Sequence, residues 1–96
     1  MKRVLFLRPA AEQDLAAARD WYDRKSPGLG DGFLDAVALA LRELEDAPEI
    51  HRLYYRAFRR VLLRRFPYKI FYQVVGDRIV IFRVLHAKQE HRRQID

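Results

Sequence analysis

The sequence predicts an α+β domain in which a helical hairpin packs on one face of a largely antiparallel sheet of four to five strands. Apolar residues recur at helical spacing within residues 10–25 and 31–47, and the period changes to two within residues 51–86. The pair Gly76-Asp77 separates two extended runs, as in a tight β-hairpin. With 96 residues, the chain is long enough for one core, and we expect a single domain over residues 1–96.

The two predicted helices form an antiparallel pair. Apolar side chains line one face of residues 10–25 and one face of residues 31–47. Residues 26–30, Ser-Pro-Gly-Leu-Gly, interrupt the pattern, and Asp31 is the expected amino-terminal cap of the second helix. Because the connection is so short, we expect the helices to form a hairpin.

The remaining predicted elements are strands. Residues 3–7 form a short apolar run, and further extended runs lie within residues 51–86, rich in Val, Ile, Leu, Phe and Tyr. The predicted order is β-α-α-β-β-β, with one further strand left open. Residues 87–96 form a polar tail, for which a frayed end, a short helix or a segment folded over the sheet are alternatives.

Composition excludes several classes of function. The chain has no cysteine, which excludes disulfides, a thiol nucleophile and a thiolate zinc site. It has one serine, Ser26, which precedes a proline and does not suit a serine hydrolase. No apolar run is long enough to span a membrane, and no metal-binding or phosphate-loop motif is present. We therefore expect a cytoplasmic protein with no metal, no cofactor and no membrane partner.

The charge is strongly asymmetric along the chain. The net charge is +6, and it divides into −3 for residues 1–50 and +9 for residues 51–96. Fifteen of the 19 basic residues are arginines, which suit bidentate contacts with phosphate or carboxylate. The basic half predicts a polyanionic partner, either nucleic acid or an acidic protein segment. The alternative is a solvated cationic surface without a partner.

The alternation along the strands predicts two faces of the sheet. Burying unpaired cations beneath the helices would cost several kcal/mol each. Four cations are therefore assigned to the outer face: Arg60, Arg64, Lys69 and Arg83. Four apolar residues share that face in the same register: Phe71, Ile79, Ile81 and Leu85. Three residues of the last strand are assigned to the helix side: Val80, Phe82 and Val84. An exposed apolar patch among charges is typical of a protein interface.

Three histidines, His51, His86 and His91, are the candidates for acid–base chemistry near neutral pH. A pair of histidines would suit RNA cleavage, since one can accept the proton of the 2′-hydroxyl and the other can protonate the leaving oxygen. The four outer cations would stabilise the added negative charge on the phosphate. Nothing in the spacing brings two histidines together, so the residues alone do not assign a nuclease.

Several motifs resemble those of the RelE/ParE toxin superfamily. They are Trp21-Tyr22, the turn at residues 26–30 followed by Phe33-Leu34, the pair Arg59-Arg60, residues 63–72 (Leu-Arg-Arg-Phe-Pro-Tyr-Lys-Ile-Phe-Tyr) and Val84-Leu85-His86. The resemblance spans residues 3–91 and is nearer to the ParE-like, plasmid-stabilisation branch. It implies the α+β fold given above and a toxin of a bacterial type II toxin–antitoxin module, neutralised by a cognate antitoxin.

The resemblance implies two alternative targets. ParE-like members inhibit DNA gyrase and are not enzymes, whereas RelE-like members cut messenger RNA in the ribosome with a set of basic residues. Arg60 and Lys69 match positions of catalytic cations in RelE-like enzymes, and His86 matches a histidine that some nucleases follow with tyrosine. Here Ala87 replaces that tyrosine, and Gln89 lies near the place of an expected arginine. Gyrase inhibition is therefore our first hypothesis.

Two other functions stay open beside gyrase inhibition. One is a ribosome-dependent messenger RNA endonuclease, whose catalytic residues would be Arg60, Lys69, Arg83 and His86. The other is a degenerate toxin that only binds its antitoxin. For any target or nucleic acid, the predicted contact residues are Arg60, Arg64, Lys69, Arg83, His86 and Lys88.

The resemblance also implies the chemistry of the antitoxin. Antitoxins of this family carry acidic, amphipathic carboxy-terminal segments, which would place apolar side chains on the predicted ridge and carboxylates on the arginines. The residues expected to bind it are Phe71, Ile79, Ile81, Leu85 and Arg83. We therefore expect Ile81→Glu or Arg83→Glu to weaken antitoxin binding while the domain stays folded.

Overall fold

The structure, a computed structural model, describes residues 3–88 and confirms the predicted fold class. Two helices, α1 (Pro9–Lys25) and α2 (Leu29–Asp46), pack on one face of a five-stranded sheet. The strands are β1 (Val4–Leu7), β2 (Leu53–Tyr55), β3 (Phe58–Leu62), β4 (Tyr68–Val75) and β5 (Arg78–His86), and a short 3-10 helix (Pro48–Ile50) follows α2. The predicted conformation of the tail from residue 89 onward lies outside the described residues.

The sheet has the order β1-β5-β4-β3-β2. The pairs β2–β3, β3–β4 and β4–β5 are antiparallel, and the pair β1–β5 is parallel. The predicted Gly76-Asp77 turn joins β4 to β5, and Gly76 has a φ of +61°, a backbone conformation that favours glycine. The further strand that the sequence left open is β2, which adds only three residues at one edge of the sheet.

The second helix begins two residues earlier than predicted. Gly28 occupies the cap position with a φ of +87°, and α2 starts at Leu29. Asp23 of α1 accepts a hydrogen bond from the Gly30 N–H at 2.7 Å, so an acidic residue of the neighbouring helix satisfies the first turn. Asp31, the predicted cap, instead forms an ion pair with Arg19 at 3.3 Å.

The main core lies between the helices and the sheet. Its largest fully buried side chains include Phe33, Leu44, Ile70 and Tyr72. A second, smaller cluster lies on the outer face of the sheet and consists of Phe58, Phe71 and Leu85 with Tyr54, Tyr55 and Phe82 packed against them. The outer face therefore has an apolar interior of its own, and Phe71 and Leu85 are 0% and 2% exposed.

A bulge in β5 makes part of the predicted register wrong. Phe71 of β4 is paired with Arg83, whereas the next residue, Tyr72, is paired with Ile81, so Phe82 is an extra residue on β5. One extra residue reverses the alternation on the amino-terminal side of the bulge. Ile79 and Ile81 therefore lie in the main core with 0% exposure and do not form an outer ridge.

The bulge also corrects the residues assigned to the helix side. Phe82 packs on the outer cluster, with its ring centroid 4.8 Å from that of Phe58. Val80 is paired with Gln73 and alternates with the buried Ile79 and Ile81, so it too faces outward. Val84, beyond the bulge, lies in the main core as predicted.

Candidate functional site

Arg60 and Lys69 lie on the outer face of the sheet, as the alternation predicts. Arg60 of β3 is paired with Phe71, and its guanidinium carbon lies 3.9 Å from the centroid of the Tyr54 ring. Lys69 of β4 is paired with Leu85 of β5. Burial lowers the pKa of Lys69, and the neighbouring charge of Arg60 lowers it further. The two cations are therefore close enough to repel each other.

Arg64 does not join them, which makes its predicted position on the outer face wrong. Strand β3 ends at Leu62, so the alternation no longer holds at residue 64. The Arg64 guanidinium instead donates a hydrogen bond to the Glu43 carboxylate of α2 at 3.1 Å. Arg64 is consequently paired with an acid on the helix side of the molecule.

Arg83 is also paired within the chain. Its Nε and Nη2 donate hydrogen bonds to the two carboxylate oxygens of Asp14 in α1, at 2.7 and 2.8 Å. The side chains of Arg83 and Asp14 are 25% and 13% exposed. The hydrogen bond to Asp14 raises the pKa of Arg83. Arg83, which the sequence predicts to bind a carboxylate of the antitoxin, thus binds a carboxylate of its own chain.

Asp14 has a third contact that fixes the end of the sheet. Its Oδ2 accepts a hydrogen bond from the backbone N–H of Val84 at 2.9 Å. Strand β1 is paired with β5 only as far as Ile81, so the carboxylate takes the place of a strand partner beyond that residue. Sequence reasoning missed Asp14, because an acid in the first turns of a helix usually faces solvent.

His86 lies at the end of β5 beside the helices. Its ring centroid is 5.3 Å from that of Tyr68, and its Nδ1 accepts a hydrogen bond from the Lys88 N–H at 3.2 Å. With Asp14, Trp21 and Arg83, His86 lines a cleft of about 600 Å³ between α1 and the sheet. The residues lining this cleft include neither Arg60 nor Lys69.

Within residues 3–88, His51 does not form a pair with His86. His51 lies near the opposite edge of the sheet, where its carbonyl accepts a hydrogen bond from Arg59 at 2.6 Å. His91 lies outside the described residues. The predicted nuclease residues thus form two groups, Arg60 with Lys69 on the outer face and Arg83 with His86 in the cleft.

A second groove lies between α2 and β3, and sequence reasoning did not find it. Its volume is about 680 Å³. Three apolar side chains in it are strongly exposed: Leu39 at 45%, Ile50 at 72% and Leu62 at 58%. Charged side chains of both signs also line it: Arg42, Arg64 and Arg65, with Asp35 and Glu43. The sequence feature that could have indicated this groove is Leu39, a large apolar residue outside the buried stripe of α2.

Within residues 3–88, no three His, Asp or Glu side chains are grouped so that they could hold a metal ion. No helix in the same part of the chain is long and apolar enough to cross a membrane.

This arrangement of two helices on a five-stranded sheet is similar to that of several solved structures. A chain of the chromosomal ParDE TA system from P. aeruginosa superposes with a TM-score of 0.82 at 21% identity, over 91% of this chain and 98% of that one. The toxin–antitoxin complex RelBE2 from Mycobacterium tuberculosis gives 0.60 at 20% identity, over 90% and 99%. A mutant of the E. coli toxin RelE in the free state gives 0.64 at 19% identity, over 92% and 86%.

The chain belongs to the ParE family, the toxins of the type II toxin–antitoxin system parDE, whose sequence model matches residues 5–91. A comparison with curated protein sequences gives no significant match. The protein is therefore a toxin of the ParE/RelE type, and its class implies a cognate antitoxin as partner.

Proposed function

We propose that this toxin inhibits DNA gyrase by binding it and does not itself cleave RNA. The observation that carries the proposal is the division of the four predicted nuclease residues into two groups. General acid–base catalysis needs its groups within hydrogen-bond reach of one substrate. Arg60 and Lys69 lie on the outer face, while Arg83 is bonded to Asp14 and lines the cleft with His86. The match to the ParE family supports the same function.

The test in cells is induced expression with separate readouts of replication and translation. We expect growth arrest with a DNA-damage response, while messages stay uncut at the ribosomal A site in primer extension. The His86→Ala variant serves as the control, because it removes the imidazole that acid–base cleavage would need. Cut messages in the wild type that disappear in His86→Ala would contradict the proposal.

A messenger RNA endonuclease is the second candidate, and one observation favours it. The lowered pKa of Lys69 beside Arg60 makes this amine easier to deprotonate, which suits a general base. On this reading, Lys69→Ala abolishes cleavage of ribosome-bound messages, and Lys25→Ala leaves it unchanged. Toxicity without cuts, or cuts that survive in Lys69→Ala, rejects the endonuclease.

We further propose that the acidic, amphipathic segment of the cognate antitoxin binds in the groove between α2 and β3. The ridge predicted from sequence is unavailable, since Ile79, Ile81 and Phe71 are all 0% exposed. The groove instead offers exposed apolar side chains beside Arg42 and Arg65, which match the two halves of such a segment. Ordering the segment costs free energy, which the buried apolar surface offsets.

Two residues with the same exposure allow a matched test of this groove. Leu39 lines the groove and Val75 lies at the far end of β4, and each is 45% exposed. We expect Leu39→Glu to weaken antitoxin binding by about 2 kcal/mol, the size of an interface hot spot, and Val75→Glu to leave it unchanged. Isothermal titration with the antitoxin measures both. Equal affinities for the two variants would place the antitoxin elsewhere.

A further inference from the structure

The outer face of the sheet carries positive charge without acidic residues among its strands. Three of the strand residues that face outward are basic, Arg60, Lys69 and Arg78, and none within residues 3–88 is acidic. Arg8, directly after β1, extends over the same face, where its guanidinium carbon lies 4.5 Å from the centroid of the Phe82 ring. These four residues are referred to below as the outer cations.

The helix layer has the opposite charge. The helical segment from Pro9 to Asp46 contains nine acidic and four basic residues. The two layers therefore give the molecule a positive side and a negative side. A polyanion near the surface is attracted to the sheet side and repelled by the helix side, which orients the encounter.

The outer cations differ from Arg64 and Arg83 in their contacts. Arg64 and Arg83 are neutralised by Glu43 and Asp14. Among residues 3–88, no carboxylate forms an ion pair with any of the outer cations.

Two outer arginines lie over aromatic rings, Arg8 on Phe82 and Arg60 on Tyr54. A cation–π contact orders the guanidinium but leaves its charge and its N–H donors for a phosphate. Since the side chain is already ordered, less entropy is lost when a phosphate binds.

The aromatic residues of this face favour a duplex over a single strand. Proteins that bind single strands stack the bases on exposed aromatic rings. Here Phe58 and Phe71 are 4% and 0% exposed, and the Tyr54 ring lies under Arg60. Among residues 3–88, the strongly exposed ring of this face is Phe6, at 50%, and it lies on the edge strand β1. The face therefore offers charges for a phosphate backbone but no series of open rings on which successive bases could stack.

The same burial argues against an amphipathic peptide on this face. Such a peptide needs exposed apolar side chains at the centre of its site, and there Phe71 and Leu85 are 0% and 2% exposed. The exposed Val4, Phe6 and Val75 lie away from this centre, on the edge strand β1 and beside the β4–β5 turn. The exposed apolar groove lies between α2 and β3.

We propose that the outer face of the sheet binds the phosphate backbone of duplex DNA through Arg8, Arg60, Lys69 and Arg78. Binding places phosphates between the mutually repelling Arg60 and Lys69 and depends on backbone charge, not on base sequence. This activity goes beyond gyrase inhibition, because it belongs to the toxin alone.

The test is a titration of the full-length toxin with short fluorescent duplex DNA at several salt concentrations, without gyrase. We expect Arg60→Glu and Arg78→Glu each to weaken binding about fivefold or more and to lower the slope of log K against log salt by about 1. Arg24→Glu makes the same change of charge on α1 and is expected to bind like the wild type. Circular dichroism melting establishes whether each variant is folded. If Arg60→Glu does not fold, Arg78→Glu still tests the proposal, because Arg78 is exposed at the start of β5.

Three results would overturn the proposal. The first is no binding of duplex DNA by the wild type at about 50 mM salt, where phosphate contacts are strong. The second is an equal loss of affinity in Arg24→Glu, which would mean that binding depends on the net charge of the protein and not on the outer face. The third is tighter binding of single-stranded RNA of the same length. None of these results depends on gyrase, so the proposed cellular target is tested separately.

Discussion

Asp14 holds the carboxy-terminal part of β5 against α1 through three hydrogen bonds, two from Arg83 and one from the Val84 N–H. We expect Asp14→Ala to reduce the free energy of unfolding by about 2 kcal/mol, less than for a fully buried pair because Arg83 is partly exposed. Urea denaturation measures this loss. In a double-mutant cycle, the double variant Asp14→Ala/Arg83→Met should lose less free energy of unfolding than the sum of the losses of the two single variants. Strict additivity would mean that the ion pair contributes nothing.

Tyr72 gives the stability a specific dependence on alkaline pH. Burial raises its pKa to about 12, against an opposing effect of Arg59, and its hydroxyl donates a hydrogen bond to the Pro48 carbonyl at 2.6 Å. Because the folded-state pKa lies above the unfolded one, this contribution is complete below about pH 10 and is lost as the pH rises through about 12.

We expect the wild type to lose about 1 kcal/mol more than Tyr72→Phe between about pH 9 and about pH 11. The free energy of unfolding in urea at the two pH values gives this difference. The comparison removes the effects of Tyr22 and Tyr68, whose pKa values burial also raises and which both proteins retain. Parallel pH profiles would show that Tyr72 ionises as easily in the folded state as in the unfolded state.

At the scale of elements, the bulge in β5 decides which side chains are buried. Ile81, in the main core, is 0% exposed, whereas its neighbour Val80 faces outward. We expect Ile81→Glu to prevent folding, because a buried unpaired carboxylate costs several kcal/mol. Val80→Glu should leave the fold intact. Circular dichroism shows whether each variant is folded. A folded Ile81→Glu would mean that Ile81 lies on the outer face, as in the register predicted without the bulge.

The close packing of α1 against α2 depends on Gly30. A Cβ atom at this position would lie 2.5 Å from the Arg19 carbonyl oxygen and 2.7 Å from Asp23 Oδ1. We expect Gly30→Ala to destabilise the domain by about 2 kcal/mol, since a backbone atom cannot move aside. Gly32→Ala, in the same helix, meets only Arg65 Nη2 at 4.0 Å and should stabilise the domain by about 0.5–1 kcal/mol. Thermal melting compares them, and equal melting temperatures would contradict the account.

The same elements show what local sequence signals predict. The two helices, the Gly76-Asp77 hairpin and the outward position of Arg60 and Lys69 follow from periodicity and turn chemistry, which are local. The bulge at Phe82 and the first turn of α2 depend on contacts between different elements, Phe82 with Phe58 and Gly30 with Asp23. Periodicity carries no information on such contacts, and the predicted ridge therefore included the buried Ile79 and Ile81.

At the scale of the whole molecule, charge is separated between the two layers. The sequence predicts the basic second half, because net charge needs only a count of residues. It does not predict which arginines are neutralised, since Asp14 and Arg83 lie 69 residues apart in the chain. The outer cations, the groove between α2 and β3, and the cleft that contains His86 are thus distinct surfaces.

The central claim, that this toxin inhibits gyrase and is not a nuclease, is tested most directly by a supercoiling assay with purified components. Relaxed plasmid, ATP and bacterial DNA gyrase are incubated with increasing amounts of the toxin, and the products are separated by gel electrophoresis. We expect supercoiling to fall as toxin is added and to be restored by the cognate antitoxin. Undiminished supercoiling at excess folded toxin would contradict it.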